Sequence, residues 1–214
     1  MQRVQLAVLG DRERRDAAAA DGVSVESFST PRLLAERVTA AHWLDLRRMD
    51  EDEQFMALLG GVRDKAGTVA YLEMNVKHWT DHGFGMWMLR DAATSAMIGR
   101  AILRHLDVEG VDEVEVGYGF MPEHWGRGLA TEIALECVRI GFDRLRLPSL
   151  VAVTTPANLA SQRVMQKTGL VYERHILHAG VPHVLFRVRA AQPGGDAWCS
   201  VSCATREMGD ARHA

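Results

Sequence analysis

The sequence predicts an α+β fold, with one mixed sheet flanked by helices. Three observations predict it. The middle of the chain holds three successive strand patterns, Phe84–Arg90, Met97–His105 and Val114–Met121, with no helix between them. Helical periodicity dominates the segment before this group. After it, helical and strand patterns alternate, as they do when helices cross between strands of a single sheet.

Leu33–Val38 has strand character, and Thr39 is placed to cap a helix that runs on through Trp43 and Leu46. A second helical stretch, Glu53–Leu59, stops at Gly60–Gly61. Val69–His82 reads as helix because Leu72, Val76 and Trp79 recur at three- to four-residue spacing. Beyond the three strands, Arg127–Leu145 is a long helix with an apolar stripe of Leu129, Ile133, Cys137 and Ile140, flanked by Ala130, Ala134 and Val138. Leu150–Thr154 is a short buried strand. Thr155 then serves as N-cap, with Pro156 in the first turn of a helix that Gly169 ends. Leu170–Leu177 and Val184–Val188 are the last strands, joined by a turn at Ala179–Gly180.

The chain of 214 residues suits one domain, expected at 28–191, between a poorly ordered extension at 1–27 and a disordered tail at 192–214. A formal charge of −3 gives no basic footprint, so no nucleic-acid partner is expected. Met1–Gly10 is too short and interrupted for a secretory segment, and no run approaches a membrane span. The expectation is a cytoplasmic protein with no membrane contact. Cys199 and Cys203 are too few for a structural zinc site. His78 and His82 share a helical face but bring no third ligand, so they read as a solvated face and no metal is expected.

Chemistry concentrates in Glu113–Glu132. In Val114–Met121 one face carries Val114, Val116, Tyr118 and Phe120, and the other Glu113, Glu115, Gly117 and Gly119. Two carboxylates followed by two glycines leave main chain bare where a ligand approaches. Pro122 breaks the strand, and Trp125-Gly126-Arg127-Gly128-Leu129-Ala130 opens the long helix. Glycines at such a junction let successive N–H groups curl around an anion at a helix N-terminus, and Arg127 adds a full positive charge. The same residues also suit a plain tight turn. Their spacing fits neither a Walker loop nor a dinucleotide fingerprint.

The segment resembles motif A of the GNAT acetyltransferases, Gln/Arg-x-x-Gly-x-Gly/Ala, with Gly126, Arg127, Gly128, Leu129 and Ala130 matching and Trp125 standing where Gln or Arg is usual. Trp at that place, Glu115-Val116-Gly117-Tyr118 and Thr131–Glu132 are similar to the branch that includes ribosomal-protein N-terminal acetyltransferases. So are Thr30-Pro31-Arg32-Leu33, Gly83-Phe84-Gly85-Met86-Trp87 with Ile98-Gly99, and Asn158-Leu159-Ala160-Ser161 through Lys167-Thr168-Gly169-Leu170. The resemblance covers about Phe28 to Ala190.

What the resemblance implies is a mostly antiparallel sheet and an N-acetyltransferase that moves an acetyl group from acetyl-CoA to a primary amine. Direct attack would take place in a ternary complex, in the opening between Val114–Met121 and Leu150–Thr154. Phe120 and Met121 would pair with the pantetheine arm, the amides of Gly126, Arg127, Gly128, Leu129, Ala130 and Thr131 would take the pyrophosphate, and Asn158 would touch the cofactor, its alternative being a second-turn capping residue. Glu115 is the candidate base, with Glu113 in reserve, although Glu115 also suits a solvated strand carboxylate. The family often places a Tyr seven residues after the Asn as general acid. Here that residue is Met165, so Ser161 becomes the candidate to hydrogen-bond the thiolate, its alternative being a packing residue. Tyr118, on the opposite face from Glu115, reads as core. Trp79, Phe84 and Trp87 suit either core or an acceptor pocket. The acceptor is a peptide N-terminus or a small-molecule amine, and the oligomeric state, a homodimer included, stays open. A non-catalytic acyl-CoA sensor on the same fold is the competing reading.

Overall fold

The computed structural model describes residues 25–191. The tail from 192 and most of the first extension lie outside the described residues. Eight strands form one sheet in the order β1-β2-β3-β4-β5-β6-β8-β7. β1 (Ser27–Ser29), β2 (Leu33–Arg37), β3 (Met86–Asp91), β4 (Met97–Val108) and β5 (Val111–Phe120) are each antiparallel to the next. β6 (Ser149–Thr154), β8 (Val181–Arg189) and β7 (Val171–His178) form a second antiparallel block. The two blocks meet where β5 and β6 run parallel, at the single register pair Glu115 and Val151. A parallel neighbour requires a crossover, and here it is the helix α4 (Leu129–Arg139).

The expected strands and helices are present, with instructive differences at their ends. β4 and β5 are longer than expected because Glu109 and Gly110, both at positive φ, close them into a hairpin. Ala179 and Gly180 do the same between β7 and β8, as a two-residue turn with two left-handed residues should. β1 was not anticipated, being three mostly polar residues with no alternation to read. Before the central strands lie α1 (Trp43–Glu51), the single turn α2 (Glu53–Met56) and α3 (Lys65–His82). α3 starts four residues before the predicted Val69, because the Asp64 carboxylate accepts from Gly67 N–H at 2.7 Å and caps it. α4 starts at Leu129 rather than Arg127, since Gly128 is left-handed at φ 77°. Its far end loosens into a π turn, Ile140–Arg144, before β6. α5 (Leu159–Lys167) corrects the predicted cap: Asn158, not Thr155, is the N-cap, its side-chain oxygen accepting from Ser161 N–H at 3.1 Å. Pro156 therefore precedes the helix instead of opening it.

The core lies on both sides of the sheet, and the aromatic residues weighed for an acceptor pocket belong to it. Trp79, Phe84 and Trp87 are all buried. The indoles of Trp79 and Trp87 meet edge to face at 5.5 Å, and each N–H is satisfied by a main-chain carbonyl, Met86 O and Val25 O respectively, at 2.8 Å. Burial of this size dominates core energetics, and a paired N–H removes the cost of burying the indole nitrogen.

β4 and β5 also approach with no room to spare at Gly99. A Cβ there would sit 2.4 Å from the Gly119 carbonyl oxygen and 2.9 Å from the Phe120 ring. Gly99→Ala should therefore destabilise the fold by about 3 kcal/mol through overpacking. Urea denaturation checks this, with the midpoint expected to fall at an unchanged m-value.

Candidate active site

The face of β5 that carries Glu115 looks toward α2 and α3. Glu115 is buried, and Arg104, its cross-strand neighbour, donates Nε–H to Oε2 at 3.1 Å. Among the described residues, the other carboxylate oxygen has no hydrogen-bond partner. Burial works against the charge of Arg104, but Glu115 and Tyr71 more than offset it and hold the guanidinium proton more firmly than usual. Glu115 is thus no solvated strand carboxylate. Glu113, the reserve base, is committed elsewhere, because Arg187 holds both its oxygens at 2.9 Å. The glycines on this face differ from each other. Gly119 is covered, with the Phe55 ring 2.9 Å from where a Cβ would be, whereas Gly117 has only the ordinary contact of Ile102 at 3.6 Å.

Beyond the Glu115–Val151 pair, β5 and β6 separate, and among the described residues no strand pairs with Val116–Phe120 on that edge. The gap opens toward the head of α4. Gly126 and Gly128 are both left-handed, at φ 71° and 77°, which only glycine adopts without strain. Among the described residues, no acceptor takes the N–H groups of Gly126, Arg127, Gly128, Leu129, Ala130 or Thr131. Leu129 buries its side chain beneath them, while Gly126, Arg127 and Gly128 are exposed. Arg127 leans on His124 Nδ1 at 3.0 Å. Trp125 donates its indole N–H to Phe120 O at 2.6 Å and fastens the loop to the strand end. Of the two residues expected at the pantetheine arm, Met121 has both main-chain groups engaged: its N–H goes to Ile98 O and its carbonyl accepts from His124 N–H, each at 2.9 Å. Phe120 gives its carbonyl to Trp125.

Tyr118 lies on the opposite face, as the alternation requires, but it does more than fill the core. Its hydroxyl reaches α5 and sits 3.2 Å from both Ser161 Oγ and Ser161 O. Burial pushes its pKa up to about 12, so the phenol keeps its proton. Asn158 spends its side-chain oxygen on the cap, which fixes the Ser161 amide. Met165 is buried one turn on. Tyr118 of β5 thus sets a phenol hydroxyl beside Ser161, one turn before Met165.

Residues 32–171, more than half of the chain, match the family of the acetyltransferase (GNAT) domain. The chain belongs to the GNAT acetyltransferase family. It is 30% identical over 125 residues to YkkB, an uncharacterised protein of Bacillus subtilis, spanning 58% of this chain and 73% of that one. Among solved structures, ribosomal-protein-S5-alanine acetyltransferase from Vibrio fischeri superposes with a TM-score of 0.62 at 18% identity, covering 76% of this chain and 96% of that one. Spermidine N-acetyltransferase from Vibrio cholerae, solved with CoA and spermine, gives 0.61 at 16%, covering 75% and 96%. These two share the fold. The mixed, mostly antiparallel sheet is the one the resemblance implied. No helix among the described residues is long and apolar enough to cross a membrane.

In this GNAT domain, sequence reasoning missed three partners. Arg104 beside Glu115 follows from strand register and Tyr118 beside Ser161 from the packing of α5 on the sheet, neither of which a local pattern announces. The third is His105, which joins His78 and His82; these are half-buried rather than solvated. A network also ties the β1–β2 turn to α4. Glu132 accepts from Thr30 Oγ1 at 2.5 Å, from Arg32 N–H at 2.9 Å and from Arg32 Nε at 2.6 Å, and a further Arg32 nitrogen reaches Arg127 O at 2.7 Å. Burial raises the Glu132 pKa, but the bonds from Thr30 and Arg32 prevail and leave it below the ordinary carboxylate value of 4.5. A depressed carboxylate stabilises the fold above its unfolded pKa, and that contribution is lost as pH falls through the folded one. Glu132→Gln should accordingly melt lower than wild type at pH 7, with the gap closing below pH 4.5; thermal melts across that range measure it.

Proposed function

We propose that this protein is an acetyl-CoA-dependent N-acetyltransferase that moves an acetyl group to a primary amine by direct attack in a ternary complex, with residues 28–191 as the catalytic domain. The observation that carries this reading is the row of unpartnered N–H groups at 126–131, at the head of α4 and beside the β5–β6 gap. Such a row fits a diphosphate, because each N–H points at an oxygen site, and the helix end adds about half a positive charge. Acetyl-CoA supplies the acyl group as a thioester.

The chain's own residues then divide the proton traffic between the two faces of the sheet. Glu115, through its open carboxylate oxygen and directly or by way of a water, takes the proton from the acceptor ammonium. The amine nitrogen forms its bond to the acyl carbon as the carbon–sulfur bond breaks, with that electron pair left on sulfur, and the second nitrogen proton passes to solvent to leave the neutral amide. Ser161 and Tyr118 hydrogen-bond the sulfur from the other face. A phenol at about 12 does not surrender its proton to a thiolate whose thiol has a pKa of roughly 8.5. Tyr118 thus stabilises the leaving group by hydrogen bonding, and solvent returns the proton. Phe55, Tyr71 and Arg104 wall the approach to Glu115.

Acceptors named for fold neighbours, a ribosomal-protein alanine and spermidine, set the two classes to test: peptide N-termini and small amines. Thiol release from acetyl-CoA with both panels identifies the class. CoA binding without turnover of any acceptor would favour the sensor instead. Glu115→Gln should lower kcat about 100-fold or more with the CoA affinity unchanged. Gly128→Val should weaken CoA binding at least tenfold, since it sets a branched residue at φ 77° in the amide row. Calorimetry separates the two effects, and unaltered CoA affinity in Gly128→Val would remove the basis for the site.

A further inference from the structure

The histidines of α3 and β4 converge far more closely than their sequence positions suggest. Ligand-type nitrogens of His78, His82 and His105 all lie within 4.8 Å of one another. Ring centroids are 4.5 Å apart for His78 and His82, 4.4 Å for His82 and His105, and 5.7 Å for His78 and His105. Three imidazoles arranged tetrahedrally about a cation at Zn–N of about 2.0–2.1 Å have centroids roughly 5 Å apart. The rings are thus already near that spacing.

Two of the three are also oriented as ligands are. His105 Nδ1 lies 2.9 and 3.0 Å from the Asp112 carboxylate oxygens, which leaves Nε2 as the inward atom. His78 Nδ1 donates to Phe84 O at 2.8 Å, again leaving Nε2. An oxygen acceptor on the far ring nitrogen is the usual support of a metal-bound histidine, fixing tautomer and orientation. His82 is the last residue of α3, where the carbonyl end of the helix favours positive charge.

We propose that His78, His82 and His105 form a binding site for a divalent transition cation of the zinc class, with Asp112 and the Phe84 carbonyl as outer supports. Three neutral nitrogens suit Zn2+, Cu2+ and Ni2+ over Mg2+ or Ca2+. The site would join the C-terminus of α3 to the outer half of β4, which extends past the end of β3. There His78 Nε2 accepts the His105 main-chain N–H at 3.0 Å, in place of a strand neighbour. Full coordination requires His78 to release that bond. The cation therefore exchanges one amide hydrogen bond for one metal–nitrogen bond.

The test is Zn2+ titration of the full chain after chelator treatment, read by calorimetry and by visible d–d absorption with Co2+ as a spectroscopic probe. One equivalent should bind, and His82→Ala and His105→Ala should each weaken it at least tenfold, with Asp112→Asn weakening it several-fold. The paired variants His178→Ala/His183→Ala and Cys199→Ser/Cys203→Ser should bind as wild type does. Imidazole NMR shifts of His78, His82 and His105 on adding Zn2+ to the wild-type chain read the site without any substitution. No stoichiometric binding, or binding lost in either paired variant but kept in His82→Ala, would overturn the proposal.

Discussion

β5 and β6 are joined as parallel neighbours for one residue pair, and the geometry of the site depends on that brevity. A ladder continued to Phe120 would close the sheet, satisfy the edge of β5 and wall off one face from the other. Glu115 and Tyr118, three residues apart on one strand, necessarily point to opposite faces. Only a breach in the sheet would let the single reacting centre proposed here be reached from both. Pro122, which cannot extend the strand, and the left-handed glycines after it turn the chain so that the crossover helix presents its N-terminus to the same breach.

Around the breach, the other charged groups are tied into structure. Arg187 is shared between Glu113 and Glu173. Asp50, fully buried, accepts from Arg63 and Arg100 at 2.8 Å each, so α1, the loop before α3, and β4 are tied together. Removing one partner of such a buried pair strands the other, which costs far more than the pair itself contributes. Asp50 retains one oxygen without a partner, in keeping with two guanidiniums converging on its other oxygen. Glu115 differs from Glu113 and Asp50 in having a single charged partner, Arg104, on one of its oxygens. The unpartnered amides of the α4 head stand apart too.

Much of this was legible in the sequence, and the misses have physical reasons. Alternation in Val114–Met121 and the stripe of Leu129, Ile133 and Cys137 place β5 and α4, because burial on one face leaves a period. The glycine pair marks its own loop, since left-handed main chain leaves few alternatives. Where two signals compete, local reading gives way. Thr155-Pro156 has the look of a helix start, yet the amide side chain of Asn158 caps better because it reaches Ser161 N–H. Long-range neighbours leave no local trace at all. Arg104 meets Glu115 through the register of a hairpin closed by Glu109–Gly110, and His105 meets His78 through the packing of α3 against β4.

Trp125, in the place where related motifs carry Gln or Arg, has a consequence for how the loop behaves. Its indole spends its one donor on Phe120 O, inside the protein, and the loop that follows is clamped at its entry by that bond and at its exit by Arg32 on the Arg127 carbonyl. On the proposed reading, the conformational entropy of shaping an anion cradle here is expended when the chain folds, not when a guest arrives. Recognition at this loop is then a matter of docking into a finished mould, with the indole as its fixed anchor.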